Sequence, residues 1–189
     1  MEVMSVLRGP GDVGIDDKPP KRPESPFRLL FPRGLVEAAT RHLQVRGSDG
    51  CEELALFAGI PVGGEVLIAS LLLPQTNSTW GHVEIVKSEQ PVLSEWLVAN
   101  RQLLFVESHT HGGRSRWSTK ISGVDVAHPV SVRDGFLTVI VPAYAEDGIN
   151  FTTAGVWECR QLKWRRLNNS QVKQRFSVVS DDEVRGRLG

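Results

Sequence analysis

The residues best equipped for chemistry lie close together in the chain, as His109-Thr-His111 followed by Ser122-Gly-Val-Asp125. The apolar run Leu103-Leu-Phe-Val106 leads straight into the first histidine. Residues two apart in a strand point to one face, so both imidazoles can turn to a single ion if the strand persists. Ser122 and Asp125 are three apart, one helical turn and again one face. Neutral imidazole and carboxylate are ordinary zinc ligands. Two histidines and one aspartate leave a fourth position for water, the layout of a catalytic rather than a structural site. A competing reading of Ser-x-x-Asp ahead of a helix is capping alone, with Ser122 as N-cap and Asp125 as a first-turn acid.

Those positions need elements to carry them. Phe27-Arg-Leu-Leu-Phe31 reads as a first strand, and Pro32 sits where a helix can begin. Leu35, Ala38, Ala39, His42 and Leu43 recur at helical spacing, and Gly47 and Gly50 end that helix. Glu52-Glu-Leu-Ala-Leu-Phe-Ala-Gly59 reads as an apolar strand with two acids at its entrance. Gly63-Gly64 predicts a tight turn into a returning strand, Glu65 to Leu73, which Pro74 stops. Thr76 to Gly81 is expected to be loop and His82 to Lys87 an alternating strand. Val92, Trp96, Leu97 and Val98 suggest an apolar helix face between Pro91 and Asn100. After the histidines come a loop from Gly112 to Thr119, a short helix near Ser122 to Val130, and a buried strand, Gly135 to Val141. Phe151 to Glu158 and Gln161 to Leu167 predict a second hairpin. The expected class is α/β, a sheet packed by helices. Residues 1–26, rich in Pro and Gly, are expected to form a flexible arm, 27–170 one domain, and 171–189 a C-terminal tail, polar and fraying from Asp181 onward.

With 22 basic and 22 acidic residues in 189, no global field argues for nucleic acid or an anionic membrane. The basic strand Arg160 to Arg166 reads as solvent-facing rather than as a nucleic-acid surface. No apolar run reaches the roughly 18 residues of a membrane-spanning helix. The first residues show no secretory signal, and Cys51 and Cys159 make no C-x-x-C, so reduced thiols in a cytoplasmic protein are expected.

H-x-H followed by S-x-x-D, with a Glu upstream at the opening of an apolar strand that ends in Gly, resembles the JAMM (JAB or MPN+) metalloproteases. Ser122-Gly-Val-Asp125 looks like the family's S-G-I-D form, and Glu52 precedes Gly59 by seven residues, the family's usual offset for its catalytic glutamate. Gly135 to Ala145 is similar to the segment after the zinc helix in bacterial members that travel with ubiquitin-like conjugation genes. The resemblance covers Phe27 to Leu167. It departs at Gly112, where the family usually has Pro, in a longer spacing from His111 to Ser122, and in Glu107-Ser108 replacing an aromatic-rich lead.

The resemblance implies a mixed, curved sheet flanked by helices, of cytidine-deaminase-like architecture. It implies zinc held by His109, His111 and Asp125, Glu52 as general base, and Ser122 as oxyanion donor. Glu53 competes with Glu52, but the two point opposite ways in a strand and the Gly59 offset favours Glu52. Gly112, Gly113, Arg114 and Trp117 are candidates to contact a substrate tail, against the alternative of a solvated loop. The implied substrate is a ubiquitin-like protein or its conjugate, with activating and conjugating enzymes as implied partners. Rival readings are a non-catalytic scaffold of the same fold, or a JAMM hydrolase acting on a sulfur-carrier protein or small amide. Deaminase chemistry wants H-x-E together with P-C-x-x-C, and no P-C-x-x-C occurs.

Overall fold

The computed structural model describes residues 1–5, 21–24, 26–113 and 116–188. In chain order the elements are β1 (Glu2–Ser5), β2 (Arg28–Pro32), α1 (Arg33–Gly47), β3 (Leu54–Val62), β4 (Glu65–Leu73), β5 (Thr76–Thr79), β6 (His82–Ile85) and α2 (Glu89–Ala99). Then follow β7 (Leu103–Thr110), a 3-10 turn (Arg116–Thr119), α3 (Gly123–Ala127), β8 (Leu137–Val141), a tight turn (Ala143–Ala145), β9 (Gly155–Arg160) and β10 (Lys163–Arg166). The chain closes with α4 (Asn169–Arg175), β11 (Phe176–Val179) and α5 (Asp181–Leu188).

One mixed sheet runs β10-β9-β8-β7-β3-β4-β2-β11, with β1 also on β4 and β5-β6 a separate hairpin. This is the expected α/β class. β3 and β4 are antiparallel, joined through Gly63 and Gly64 at φ 57° and 87°, values that suit glycine. β7, in the middle, pairs antiparallel with β3 and parallel with β8. Alternation along β3 feeds two cores. Ala55 and Phe57 pack with Phe31, Leu35, Leu43 and Phe105 on the α1 side. Leu54, Leu56 and Ala58 pack with Leu72, Leu93, Val83 and Trp96 on the side of α2 and the small hairpin. Burying strands on both faces gives the near-continuous apolar runs seen in β3, β4 and β8. No helix among the described residues is long and apolar enough to cross a membrane.

Four expectations change. Within the supposed arm, Glu2–Ser5 is a strand that pairs with Ser70–Leu73 of β4, and Val3 packs on the second core. The supposed tail is part of the fold: β11 runs parallel to β2, and Phe176 stacks on Phe31 at 5.6 Å. Val172 and Val184 are buried, which anchors α4 and α5. Thr76–Thr79 is a strand rather than loop, because His82–Ile85 supplies its hydrogen-bonding partner. On α2, Leu93 is the buried apolar residue, whereas Val92 and Val98 are exposed.

Candidate metal centre

The site is built at the end of β7. His109 sits between Leu54 of β3 and Ile140 of β8, so its backbone is held from both sides. His111 lies one residue past the strand, its N–H donating to the Val141 carbonyl at 2.9 Å. The two rings turn to one face, with Nε2 atoms 3.1 Å apart. Asp125 reaches them from the first turn of α3. Its Oδ1 is 3.7 Å from His109 Nε2 and its Oδ2 3.5 Å from His111 Nε2.

The capping reading of Ser122 and Asp125 also holds. Ser122 Oγ accepts the Asp125 N–H at 3.1 Å, and Asp125 Oδ2 accepts the Ser122 N–H at 2.7 Å. The cap and the cluster are one arrangement, because the bond from Ser122 fixes the carboxylate that faces the imidazoles. Ser122 accepts with a lone pair, which leaves its O–H proton free to donate.

These residues fit a metal ion. Tetrahedral donors about 2.1 Å from a common ion stand about 3.4 Å apart, close to the 3.1 Å between the two imidazole nitrogens and to the 3.5 and 3.7 Å that separate them from Asp125 Oδ2 and Oδ1 respectively. All three donor atoms lie within 4.8 Å of one another. Burial opposes charge on His109, but the Asp125 and Glu107 carboxylates outweigh it and push its pKa up to about 10. Burial likewise opposes charge on Asp125, and the two imidazoles more than offset it, holding that carboxyl well below the usual range. The cluster is thus a well of negative potential that a proton occupies in the absence of a stronger cation.

Glu52 and Glu53 precede β3 rather than opening it, and both are buried. Glu53 is committed elsewhere: its Oε1 accepts from Leu54 N–H at 2.9 Å and Thr76 Oγ1 at 2.8 Å, and its Oε2 lies 3.6 Å from Arg46 Nε. Glu52 is the one that feels the cluster. Burial raises its pKa, His111 and His109 pull it back, and Asp125 adds to the rise. Its N–H donates to Thr79 O at 2.7 Å, tying it to the small hairpin.

Gly112 and Gly113 follow His111 directly, Gly113 with φ 81°. Arg114 and the side chain of Trp117 lie outside the described residues. A groove of about 540 Å³ runs from His109 and Asp125 between α3 and the small hairpin, past Leu54, Val83 and Leu93. His82 and His128 flank it with ring centroids 6.3 Å apart, outside the metal cluster.

Sequence reasoning missed Glu107. Its Oε1 lies 2.8 Å from His109 Nδ1, with the carboxylate side chain 9% exposed. A carboxylate only accepts, so Nδ1 carries the proton. Strand alternation could have found it, since positions 107, 109 and 111 share one face.

No protein-family model matches the chain. Among curated proteins it is 25% identical over 157 residues to "Probable metalloprotease y4jG" of Sinorhizobium fredii (strain NBRC 101917 / NGR234), covering 80% of this chain and 94% of that protein. Among solved structures, the solution structure of protein DSY2949 from Desulfitobacterium hafniense matches with TM-score 0.56 and 11% identity, over 80% of this chain and 93% of that one. The second likeness is one of fold. The first makes the chain a distant relative of a protein named for metalloprotease activity, and a His-His-Asp group able to hold a metal stands at its centre.

Proposed function

We propose that the chain is a zinc-dependent peptidase of the JAMM type, which cleaves the bond joining a ubiquitin-like modifier to a lysine or to a precursor tail. The observation that carries this reading is the convergence of His109, His111 and Asp125 on one point, with Glu52 buried beside them. The distant metalloprotease relative supports the reaction class. The resemblance of the motifs supports the substrate class, together with activating and conjugating enzymes as partners.

A zinc ion held by the two Nε2 atoms and the Asp125 carboxylate would supply a Lewis acid for the carbonyl and bring the pKa of a water towards about 7. Glu52 would accept a proton from the attacking water and return it to the leaving amine. Burial raises its pKa, the direction that strengthens the carboxylate as a base. Ser122 donates its hydroxyl proton to the carbonyl oxygen as negative charge grows there. One such donor contributes about 3 kcal/mol. Glu107 holds His109 with its Nε2 towards the ligand position. The groove along α3 and β6 receives the extended chain leading to the scissile bond.

Purified protein is incubated with a ubiquitin-like fusion, with and without a chelator, beside the Glu52→Gln variant. The wild type is expected to cleave only with metal. Glu52→Gln is expected to bind metal normally and lose on the order of 10²–10⁴-fold in kcat. Cleavage that survives metal removal, or an unimpaired Glu52→Gln variant, refutes the mechanism.

A further inference from the structure

His111 lies beyond the end of β7, where sheet pairing to β3 no longer holds it. Three backbone bonds replace the ladder. The His111 N–H donates to Val141 O at 2.9 Å, and the carbonyls of His111 and Gly113 accept from the N–H groups of Tyr144 and Ala143 at 3.1 and 2.9 Å. The last two donors belong to the turn Ala143–Ala145, in which all three residues have positive φ: 53°, 50° and 61°. Left-handed conformations of this kind cost of the order of 1–3 kcal/mol each in non-glycine residues and cluster at functional sites. Here the conformation has a geometric use. It turns two successive N–H groups towards the same stretch of chain, the one that carries His111.

Room for Tyr144 comes from two missing side chains. A Cβ on Gly112 would lie 2.7 Å from Tyr144 Oη, and one on Gly47 would lie 2.6 Å from Tyr144 Cβ. Gly47, which reads in sequence as a helix stop, is thus needed for close approach at the last residue of α1. The Tyr144 hydroxyl donates to Trp80 O at 3.2 Å, at the tip of the β5-β6 hairpin. One side chain therefore touches the loop after His111, the end of α1 and the hairpin whose Thr79 carbonyl holds Glu52.

We infer that Tyr144 is a positioning residue for His111, that Gly112 is a glycine because it leaves room for the Tyr144 ring, and that Gly47 is one because the Tyr144 backbone and Cβ lie against it. The inference rests on the metal-centre reading above. It also accounts for Gly112 standing where the resembling family carries Pro: a proline Cβ there would meet the Tyr144 hydroxyl, so the ring restrains this loop in place of a stiff residue.

The test compares Tyr144→Ala, Tyr144→Phe, Gly112→Ala and the Gly112→Ala/Tyr144→Ala double variant, each first checked for cooperative unfolding without metal. Cobalt(II) is the probe, its visible spectrum reporting ligand geometry and competition with a chelator reporting affinity. Tyr144→Ala is expected to bind about tenfold more weakly or worse, and Tyr144→Phe close to wild type. Gly112→Ala is expected to lose affinity, and the double variant to be no worse than Tyr144→Ala, because the colliding atoms are gone. Without metal, the His111 ring nitrogen signals should shift in Tyr144→Ala and stay in Tyr144→Phe. Wild-type affinity with unshifted His111 signals in Tyr144→Ala, or additive losses in the double variant, overturn the inference. If the wild type fails to bind cobalt(II), the metal centre itself fails, and the His111 signals still decide whether Tyr144 holds that ring.

Discussion

Replacing Glu107 by Gln changes one buried charge and almost nothing else. Glu107 Oε1 lies 2.8 Å from His109 Nδ1, and both side chains are buried. Gln keeps the volume and offers a carbonyl oxygen at the same place, so the Nδ1 proton still has an acceptor and no cavity opens. What is lost is the charge, which makes the bond stronger and the far nitrogen of the ring a better donor to an ion. Removing such a partner behind a metal-ligating histidine typically weakens metal binding 10- to 100-fold, or about 1.4 to 2.7 kcal/mol. Competition between the protein and a chromophoric zinc chelator at fixed pH measures this directly. Glu107→Ala should be worse than Gln, since it also leaves a buried N–H unpaired at about 1–3 kcal/mol. A Glu107→Gln protein that binds zinc as tightly as wild type would show that Glu107 is merely a strand residue and that the ring is held by packing alone.

Three further outcomes follow from the same geometry. In metal-stripped protein, His109 is raised from 6.5 to about 10, so the folded state binds its proton more tightly than the unfolded; the stabilisation is full below about pH 6.5 and fades towards pH 10, and melting temperatures across that range should fall accordingly, less so in Glu107→Gln. Ser122→Ala removes both a cap and a hydroxyl donor, with an expected loss of about 1 kcal/mol in stability and about 3 kcal/mol in the barrier; equal stability with full activity would contradict both roles. Phe176→Ala strips a ring that packs on Phe31 and Phe151 and is expected to cost about 3–5 kcal/mol in denaturant unfolding, whereas a dispensable tail would show no change.

Much of the centre was legible because its signals are local. Strand alternation put His109 and His111 on one face, and a single helical turn put Ser122 beside Asp125; both relations hold whatever surrounds them. The β3-β4 hairpin was equally plain, since Gly63 and Gly64 take the positive φ values that its turn requires. Edge strands were hidden for the opposite reason. Glu2–Ser5 and Phe176–Val179 are each only four residues long, too short to read as strands alone, and they are strands because β4 and β2 offer edges far away in sequence. The environments of two adjacent glutamates were also decided in three dimensions: Thr76 and Arg46, from separate elements, engage Glu53, whereas the Glu52 carboxyl is influenced by the histidines. Glu107 and Tyr144 belong to the same class, because a buried carboxylate or a strained turn acquires its role from the atoms that close around it. Residue types and short spacings therefore determined what chemistry this chain can do, while long-range packing decided which side chains are aimed at it.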